Sequence, residues 1–526
     1  MAEARDPSAD GTAPDGPPFD GVVYQVYPRS FRDTDGDGVG DLAGMRAGLD
    51  HLASLGVGAV WSSPFFRSPM ADFGYDISDH RDVDPLFGTL ADVDGLIADA
   101  HARGLRVWLD WVANHTSDRH PWFTASRSSR EDPHRDWYVW RDPAPDGGPP
   151  NNWIRHFAPE PAWTYDDATG QYYLHHFLPE QPDVNWDDPG LREAQLDVLR
   201  FWLDRGVDGF RADAIVLIGQ DRTYPDDPPG TPPDGRGWFH WHPSTRGHLA
   251  AARRVLDERG AVMIGEAFLE DVDAVLAHVG DDALHLAFTF QLLLAPWDAA
   301  EWARRIAEVD AAFAARGLWP AWVLSNHDKP RLATRVGSRA RARAALCVLL
   351  TLRGVPTLYQ GDELALEDAQ VPTEREVDPG GRDGCRAPMP WTSEPGCGWP
   401  DPAWLPLPPD AAALSVAAQE ADPASALHLT RRLIALRSSH EVLVRGAQRV
   451  LGAADGIPDG VLGFVRELGD ARMVTLAEMA GRTATVPAFA DGAWVVRIGS
   501  DGAGAGEGGT FDGTLPADAA VVLERA

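Results

Sequence analysis

Three things are scarce in this sequence of 526 residues: cysteines, long apolar runs and positive charges. The three cysteines, Cys347, Cys385 and Cys397, are too few and odd in number for a disulfide framework. We expect unpaired thiols and a reducing compartment. No run is apolar over the roughly 18 residues that a membrane helix needs. The first twenty residues, "MAEARDPSADGTAPDGPPFD", lack the apolar segment of a signal peptide. We therefore expect a cytoplasmic protein with no membrane partner.

The shortage of positive charge excludes another class of partner. Lysines and arginines number 47 against 79 aspartates and glutamates, a formal net charge of −32. Nucleic acid binding needs clustered cations for the phosphates, so we expect no nucleic acid partner. The composition, 44% hydrophobic and 24% charged, is typical of an ordinary soluble globular protein. The acidity fits a neutral small-molecule partner, although solubility alone is the preferred explanation for it. The length predicts two or three domains. For the assembly we expect a monomer or small homo-oligomer.

Eight short apolar runs are present, separated by amphipathic helical stretches such as "REAQLDVLRFWLDRG". The runs are "GVVYQVYP", "VGAVWSSP", "RVWLDWVAN", "DGFRADA", "AVMIGEA", "HLAFTFQLL", "AWVLSNHD" and "GVPTLYQGDE". Alternating strands and helices predict parallel βαβ units, and eight strands are the number of a (β/α)8 TIM barrel. A doubly wound sheet is the alternative that periodicity alone leaves open.

Composition shifts predict further domains around the barrel. A long Trp-, Pro- and Asp-rich stretch follows the third strand and indicates an inserted subdomain. Late Gly-separated runs such as "GVLGFVREL" and "GAWVVRIG" predict a C-terminal antiparallel β-sandwich. The predicted segments are a disordered leader at 1–19, barrel at 20–117 and 188–442, the inserted subdomain at 118–187, and the C-terminal domain at 443–526.

Charged residues close several of the predicted strands. Four runs end with a carboxylate: Asp110, Asp213, Glu266 and Asp328. In a barrel the carboxyl ends of the strands meet at one mouth, where active sites lie. Clustered carboxylates repel one another unless cations or protons intervene. Arg211, two residues before Asp213 and on the same strand face, supplies such a cation, while His115 and His327 supply hydrogen bonds.

Carboxylates without a Ser/His/Asp set, a P-loop or a cofactor fingerprint indicate glycosyl transfer. In that chemistry one carboxylate attacks the anomeric carbon and another protonates the leaving oxygen. The proton donor needs a raised pKa to stay protonated at neutral pH. The chain also holds 20 tryptophans, whose faces stack on sugar rings or simply pack.

Eight motifs in family order carry a resemblance: "YQVYPRSF", "FGYDISDH", "DWVANHTSD", "QPDVNW", "GFRADA", "GEAF", "SNHDKPR" and "GDELAL". From about Gly21 to the C-terminus the chain resembles the α-amylase superfamily, in its α-glucosidase and oligo-1,6-glucosidase branch. The resemblance implies a glycoside hydrolase that retains anomeric configuration. It implies Asp213 as nucleophile, Glu266 as general acid/base and Asp328 as the carboxylate that stabilises the transition state.

The same resemblance implies a substrate site and a linkage preference. Residues implied to hold the non-reducing glucose are Asp76, His115, Arg211 and His327, with Asp110 as a structural and binding carboxylate beside them. In similar enzymes a Val after the nucleophile accompanies α-1,6 preference. The chain has Ala214 there, so we expect an exo-acting α-glucosidase that favours α-1,4 over α-1,6 bonds in short α-glucosides.

Departures from the branch pattern concern the leaving group. The insert has "NNWIRHFAPEPAW", with Arg155, His156 and Pro159 where the branch carries a Ser and a Gly pair, and His80 stands where Tyr is common. Transglycosylases or isomerases acting on sucrose or trehalose share the glucosyl intermediate and remain an alternative. A third reading, the non-enzymatic ectodomain of transporter heavy chains, predicts a membrane segment and broken catalytic positions, and neither is present.

The stretch "DTDGDGVGD" predicts a metal site. Asp33, Asp35, Asp37 and Asp41 present hard oxygen ligands at short spacing, as an EF-hand loop does. Gly44 stands at the twelfth position, where an EF-hand has Glu. The stretch resembles the metal loop of the glucosidase branch, which implies the carbonyl of Val39 as a further ligand. We expect structural Ca²⁺, with Mg²⁺ as the alternative; a plain acidic turn is the non-metal interpretation.

Overall fold

A closed barrel of eight parallel strands forms the centre of the computed structural model, which describes residues 16–230, 242–489, 492–501 and 506–526. The barrel strands are β1 (Val23–Val26), β2 (Ala59–Ser62), β3 (Arg106–Val112), β4 (Gly209–Asp213), β5 (Val262–Gly265), β6 (Leu286–Thr289), β7 (Ala321–Val323) and β8 (Val355–Tyr359). Each predicted run contributes one strand, so the barrel is confirmed and the doubly wound sheet is excluded.

The barrel interior is built in layers by the alternation of strand side chains. A buried apolar layer fills the lower part of the barrel: Val23, Ala59, Trp61, Trp108, Val262, Ile264, Leu286, Phe288, Ala321, Val323 and Val355. Leu109, Phe210 and Met263 face the other way and pack in the outer core. Two residues beyond Trp108 and Ile264, the inward positions are the carboxylates Asp110 and Glu266, so polar groups lie directly above the apolar plug.

Helices surround the barrel and bury their apolar faces against it. The α-helices are Leu42–Ala47, Leu49–Leu55, Leu90–Ala102, Pro121–Ser128, Pro189–Asp204, Ser244–Asp257, Val272–Leu276, Gln291–Leu294, Ala299–Ala314, Leu332–Val336, Arg339–Thr351, Ala411–Leu414, Val416–Glu420, Ala426–Ser439 and Glu441–Arg445. Short 3-10 turns are Pro28–Ser30, Arg135–Trp137, Ile215–Leu217, Asp362–Leu364, Thr373–Arg375, Ala453–Asp455 and Pro487–Phe489. Asp188 caps one helix by accepting from the N–H groups of Gly190 and Leu191, with a proline at its first turn.

Two small sheets follow β2 and β3. The strands Phe66–Arg67 and Asp79–Val83 pair antiparallel and hold the loop between them over the barrel mouth. After β3, a three-stranded antiparallel sheet has the order Trp140–Arg141, Gln171–Leu174 and Trp163–Asp166. This second sheet lies within the segment predicted as the insert, and an aromatic cluster with Trp153 and Trp163 packs beside it.

The C-terminal segment forms a five-stranded antiparallel sheet, which confirms the predicted antiparallel β domain. The strands, in sheet order, are Ala447–Leu451, Val461–Leu468, Ala471–Glu478, Ala520–Arg525 and Trp494–Gly499, and a two-stranded sheet of Ala484–Thr485 and Thr514–Leu515 accompanies them. Phe464 packs in the core shared with the barrel helices, whereas Val465 packs in a separate cluster on the opposite face. The sheet is therefore sandwiched between helices and a small second sheet rather than between two large sheets.

The chain start differs from the predicted leader at one residue. Most of 1–19 lies outside the described residues, but Phe19 is buried and packs on Trp108, with ring centroids 5.0 Å apart. Burying an aromatic side chain closes the lower end of the barrel, so the folded part begins before residue 20.

All three cysteines are buried and free, as expected. Within the described ranges, no helix combines the length and apolarity needed to cross a bilayer.

Candidate active site

A pocket of ≈ 270 Å³ opens at the carboxyl ends of the barrel strands. Its lining residues are Asp72, Tyr75, His115, His156, Phe157, Phe177, Asp213, Glu266, His327, Asp328, Lys329, Gly380 and Arg382. The barrel supplies the floor and the insert supplies the aromatic wall. The structure therefore brings the three predicted catalytic carboxylates together, together with His115 and His327.

Arg211 organises the floor. Its Nη1 donates to Asp110 Oδ1 at 2.6 Å and to Asp213 Oδ1 at 2.5 Å, and its Nη2 lies 2.8 Å from Glu266 Oε2. Trp61 Nε1 and the Tyr75 hydroxyl each donate to Asp110 at 3.1 Å. Arg211 and Asp110 lie below the pocket surface and do not line the pocket. Their contacts instead hold the carboxylates of Asp213 and Glu266 in place.

The two carboxylates beside Arg211 have unusual acidity. Burial raises the pKa of both Asp213 and Glu266 to about 7, against the opposing charge of Arg211. The two groups share one guanidinium, so they titrate as a set near neutral pH. A set that holds a proton near pH 7 can supply one ionised nucleophile and one protonated acid, which is the requirement of glycosyl transfer.

Asp328 has the opposite character. Burial alone would raise its pKa, but the neighbouring groups His327, Arg382 and Arg386 outweigh burial and hold the pKa well below its ordinary value. Arg382 Nη1 donates to Asp328 Oδ1 at 2.9 Å and Arg386 Nη2 at 3.2 Å. Burial lowers the pKa of His327 to about 3, so the two arginines supply the charge near pH 7. Asp328 is thereby kept ionised.

Both predicted histidines sit in the pocket as neutral hydrogen-bonding groups. Burial lowers the pKa of His115 to about 4, so it carries no charge at neutral pH. Its Nε2 lies 3.1 Å from Gln181 Nε2. His327 Nδ1 lies 2.7 Å from Gln25 Nε2, and its ring stacks on Tyr75 with centroids 5.3 Å apart. Neutral imidazoles held in this way suit hydroxyl groups of an uncharged sugar.

Asp76 differs from the prediction. Its carboxylate is fully buried and accepts from Ser68 Oγ and the N–H groups of Ala71 and Asp72, so it shapes the loop and does not line the pocket. Asp72 takes the place at the pocket surface. Its Oδ1 accepts from Arg382 Nη2 at 2.6 Å.

Sequence reasoning missed Asp72, Tyr75 and Arg382. Asp72 directly precedes the motif "FGYDISDH" and Tyr75 lies within it, but the motif drew attention to Asp76 instead. Arg382 lies in the loop after β8, more than 300 residues from Asp72 in the chain. No local pattern marks such a residue, because only the folded barrel brings the two loops together.

The insert forms the pocket wall. Phe157, at a positive φ of 70°, packs on the guanidinium of Arg382 with 4.6 Å between Cζ and the ring centroid. His156 stacks on Phe177 with centroids 4.9 Å apart. Arg155 instead pairs with Glu160. Of the unusual residues, His156 thus lines the pocket.

His80, the other unusual histidine, lies away from the pocket. It is buried beside His120 and stacks on Trp122. Burial lowers its pKa to about 3, which keeps the ring neutral. Its place is in the packing between the Asp79–Val83 strand and the start of the insert.

Ala214 occupies a strained position after the nucleophile. Its φ of 44° and ψ of 38° lie in the left-handed region, which side chains with a branched Cβ rarely adopt. Its N–H donates to Glu266 Oε2 at 3.1 Å. The turn at Ala214 therefore ties the ends of β4 and β5 together and orients Glu266 toward the nucleophile.

The predicted metal loop draws three of its four aspartates together. Ligand atoms of Asp33, Asp35 and Asp37 all lie within 4.8 Å of one another. Burial, followed by the charges of Asp35 and Asp33, raises the pKa of Asp37. The donor set, carboxylate oxygens on a tight loop, fits a hard divalent ion.

Asp41 does not belong to that group. Its side chain accepts from the Thr34 N–H at 2.9 Å and from the Gly44 N–H at 2.6 Å, and it caps the helix Leu42–Ala47. Val39 contacts the cluster through its N–H, which donates to Asp37 at 2.8 Å. Ligation by Asp41 and by the Val39 carbonyl stays a prediction.

A TIM barrel whose mouth gathers Asp213, Glu266 and an ionised Asp328 has the clustered carboxylates that are typical of glycoside hydrolases. The profile described as "Alpha amylase, catalytic domain" matches residues 25–446, and the chain belongs to this family. This match confirms the resemblance and the enzyme class that the motifs predict.

Relatives of known name cover most of the chain. A probable alpha-glucosidase of Rhizobium meliloti (strain 1021) is 43% identical over 88% of this chain and 89% of that protein. An oligo-1,6-glucosidase of Heyndrickxia coagulans is 37% identical over 82% of this chain and 86% of that protein. The alpha-glucosyl transfer enzyme XgtA has a TM-score of 0.88 and 39% identity, with 96% of this chain and 99% of that chain covered. The isomaltulose synthase SmuA of Protaminobacter rubrum has a TM-score of 0.87 and 30% identity over the same shares.

Proposed function

We propose that this protein is a retaining, exo-acting α-glucosidase that releases glucose from the non-reducing end of short α-glucosides. The observation that carries the proposal is the single guanidinium of Arg211 held between Asp213 and Glu266. Two carboxylates that contact the same guanidinium lie close to each other. This arrangement favours the distance of about 5–5.5 Å between the two carboxyl groups of retaining enzymes over the distance of about 6.5–9.5 Å in inverting enzymes. The relatives named alpha-glucosidase support the same activity.

The proposed reaction has two steps. Asp213 attacks the anomeric carbon while protonated Glu266 gives its proton to the leaving oxygen, and a glucosyl–Asp213 ester forms. Glu266, now ionised, removes a proton from water, and the water attacks the anomeric carbon on the face the leaving group vacated, which breaks the bond to Asp213 and frees its carboxylate. Two inversions give net retention. Asp328, kept ionised, stabilises the positive charge that develops on the sugar ring.

The exo action is inferred from the closed side of the pocket. Arg382 bridges Asp72 from the β2 side and Asp328 from the β7 side, so two distant loops are clamped over the glucose end. A chain of sugars cannot pass through such a clamp, and a terminal glucose fits. We infer the α-1,4 preference from the small side chain of Ala214.

A second candidate function is transfer or isomerisation of a sucrose- or trehalose-like substrate. It shares the glucosyl–Asp213 intermediate and differs only in the group that attacks it. Structural neighbours described as an isomaltulose synthase and an alpha-glucosyl transfer enzyme favour keeping it.

Product analysis by anomer-resolved NMR tests the function. Maltose, isomaltose, sucrose, trehalose and starch would each be incubated with the enzyme. We expect α-glucose as the first product from maltose and little action on starch. β-Glucose as the first product would refute retention, whereas isomerised disaccharides in place of glucose would establish the second candidate.

We further propose that the loop Asp33–Asp41 holds a structural Ca²⁺, with Mg²⁺ as the alternative. The carboxylates of Asp33, Asp35 and Asp37 would hold the ion, which supplies charge neutralisation and no catalytic step. A chelator should lower the melting temperature, because an ion that binds only the folded state stabilises it by about 2.7 kcal/mol at a hundredfold excess over Kd. Asp35→Asn should reduce this chelator effect. An unchanged melting temperature would contradict the metal.

We also propose a cellular location and an assembly state for the protein. The sparse, unpaired cysteines support a reducing, cytoplasmic location. We expect a monomer or small homo-oligomer, which light scattering coupled to size-exclusion chromatography would establish.

A further inference from the structure

Lys329 is the only lysine in the chain; all other residues in the Lys and Arg total of 47 are arginines. This one lysine directly follows Asp328 and lines the pocket. Because the chain uses arginine at every other such position, the lysine here indicates that the chemical difference between the two side chains matters at this position. Lysine presents a compact, mobile point charge, whereas arginine presents a rigid planar fork that pairs with carboxylates at two points.

The position of Lys329 relates it to the leaving group. Its Nζ lies 4.9 Å from the ring centroid of Phe268, a cation–π contact. Phe268 comes two residues after Glu266, the proposed proton donor to the leaving oxygen. Lys329 and Phe268 therefore join the loop of the proton donor to the loop of Asp328. This places the ammonium on the side of the pocket where the aglycone would lie.

The charge of Lys329 is uncompensated, in contrast with the other cations around the pocket. Arg211 pairs with three carboxylates, Asp110, Asp213 and Glu266. Arg382 also pairs with three, on Asp72, Asp328 and Asp378. For Lys329, no carboxylate of the described residues lies within ion-pair distance, and its side chain is half-buried. A half-buried cation without a counter-ion is poised to bind an anion from outside the protein.

We propose that Lys329 forms an aglycone subsite that favours α-glucosides, or glucosyl acceptors, carrying a small anionic group. The inference rests on the proposed glucosidase function and adds its substrate class. The ammonium binds the carboxylate or phosphate of the leaving group while the face of the Phe268 ring lies against it. The glucose end keeps its neutral-sugar site of histidines and paired carboxylates.

The test compares leaving groups of matched size. Glucose release would be measured from α-glucosylglycerate and α-glucosylglycerol phosphate, which are anionic, and from neutral α-glucosylglycerol. The quantity is the anionic-to-neutral ratio of kcat/KM. We expect Lys329→Met to lower this ratio about tenfold, mainly through KM for the anionic substrates, since a hydrogen bond to a charged group is lost. Lys329→Arg should keep the ratio within about threefold. Salt should lower the ratio in the wild type and not in Lys329→Met.

A matched control removes a remote charge. Arg316 is exposed and pairs with Asp273. Arg316→Met lowers the net charge equally and should leave both kcat/KM values unchanged. An anionic-to-neutral ratio that is equal in the wild type and Lys329→Met would overturn the inference. The proposed function would stand in that case as long as neutral glucosides are hydrolysed, and would fail only if no α-glucoside released glucose.

Chemical labelling gives a readout that is independent of turnover. An amine-acetylating reagent can modify only Lys329 and the α-amine of the chain, because there is no second lysine. Glycerate should protect Lys329 from acetylation, as read by peptide mass spectrometry, and leave the α-amine unprotected. Glycerol at the same concentration should not protect. Equal labelling with and without glycerate would also count against the subsite.

Discussion

The floor and the mouth of the pocket are built on different physical principles. On the floor, Arg211, Asp110 and Asp213 are buried, the Glu266 side chain is only 15% exposed, and the one guanidinium contacts all three carboxylates at 2.5–2.8 Å. At the mouth, Phe157 is 36% exposed and Lys329 is a cation without a counter-ion among the described residues. The floor residues come from adjacent barrel strands, whereas the mouth residues come from the insert and from loops.

The difference separates chemistry from selection. A buried network in which three carboxylates share one guanidinium tolerates almost no substitution, because removing one partner leaves another charge unpaired in a low dielectric. A substitution in the exposed aromatic wall changes which leaving groups fit the pocket, but it leaves the groups that transfer protons in place. Substitutions on the floor should therefore abolish turnover, and those at the mouth should redistribute it among substrates.

The largest effect is expected from Asp213→Ala. Without the nucleophile, kcat should fall by about four orders of magnitude while the protein stays folded. Initial rates on maltose and a thermal melt measure the two quantities. Asp50→Ala removes an aspartate whose side chain is 83% exposed and should leave both unchanged. A rate above a few per cent of wild type would remove Asp213 from the mechanism.

Glu266→Gln should come next and should depend on the leaving group and on pH. The raised pKa of Glu266, about 7, means that wild-type kcat/KM for maltose falls as pH rises through about 7, since the proton donor is lost. The variant should lose this basic limb and about 10²–10⁴ of its rate on maltose. Fluoride needs no proton to leave, so first-turnover release from α-glucosyl fluoride should stay near wild type. Equal losses on both substrates would contradict the acid role.

Ala214→Val tests the border between floor and mouth. Two added methyl groups should crowd an α-1,4 leaving sugar more than an α-1,6 one, raising the isomaltose-to-maltose ratio of kcat/KM about tenfold. The φ of 44° makes Val strained here, so both absolute rates should fall. Ala214→Gly, which relieves that strain and adds no bulk, should leave the ratio unchanged. A wild type that already prefers isomaltose would refute the steric argument.

Phe157→Ala at the mouth should have the smallest effect. Losing an aromatic face costs about 1 kcal/mol, so KM for maltose should rise about fivefold with little change in kcat. Tyr165→Ala is the control, because Tyr165 is 45% exposed in the same insert and does not line the pocket. A fall in kcat without a change in KM would assign Phe157 to the floor rather than to the mouth.

The sequence by itself determined the barrel and the floor. Strand periodicity places side chains two residues apart on one face, so Arg211 and Asp213 in "GFRADA", and the carboxylates ending the other runs, were bound to meet at one barrel mouth. The free cysteines and the clustering of Asp33, Asp35 and Asp37 also followed from local composition and spacing.

Only the tertiary structure decided the rest. Asp72 replaced Asp76 at the pocket surface because loop folding turned Asp76 inward onto its own backbone. The insert wall and the clamp of Arg382 on Asp72 join residues far apart in the chain, and irregular loops carry no periodicity that would reveal such contacts. The lone lysine was visible in the sequence, but its place beside Phe268, without a counter-ion, depended on how two loops pack at the mouth.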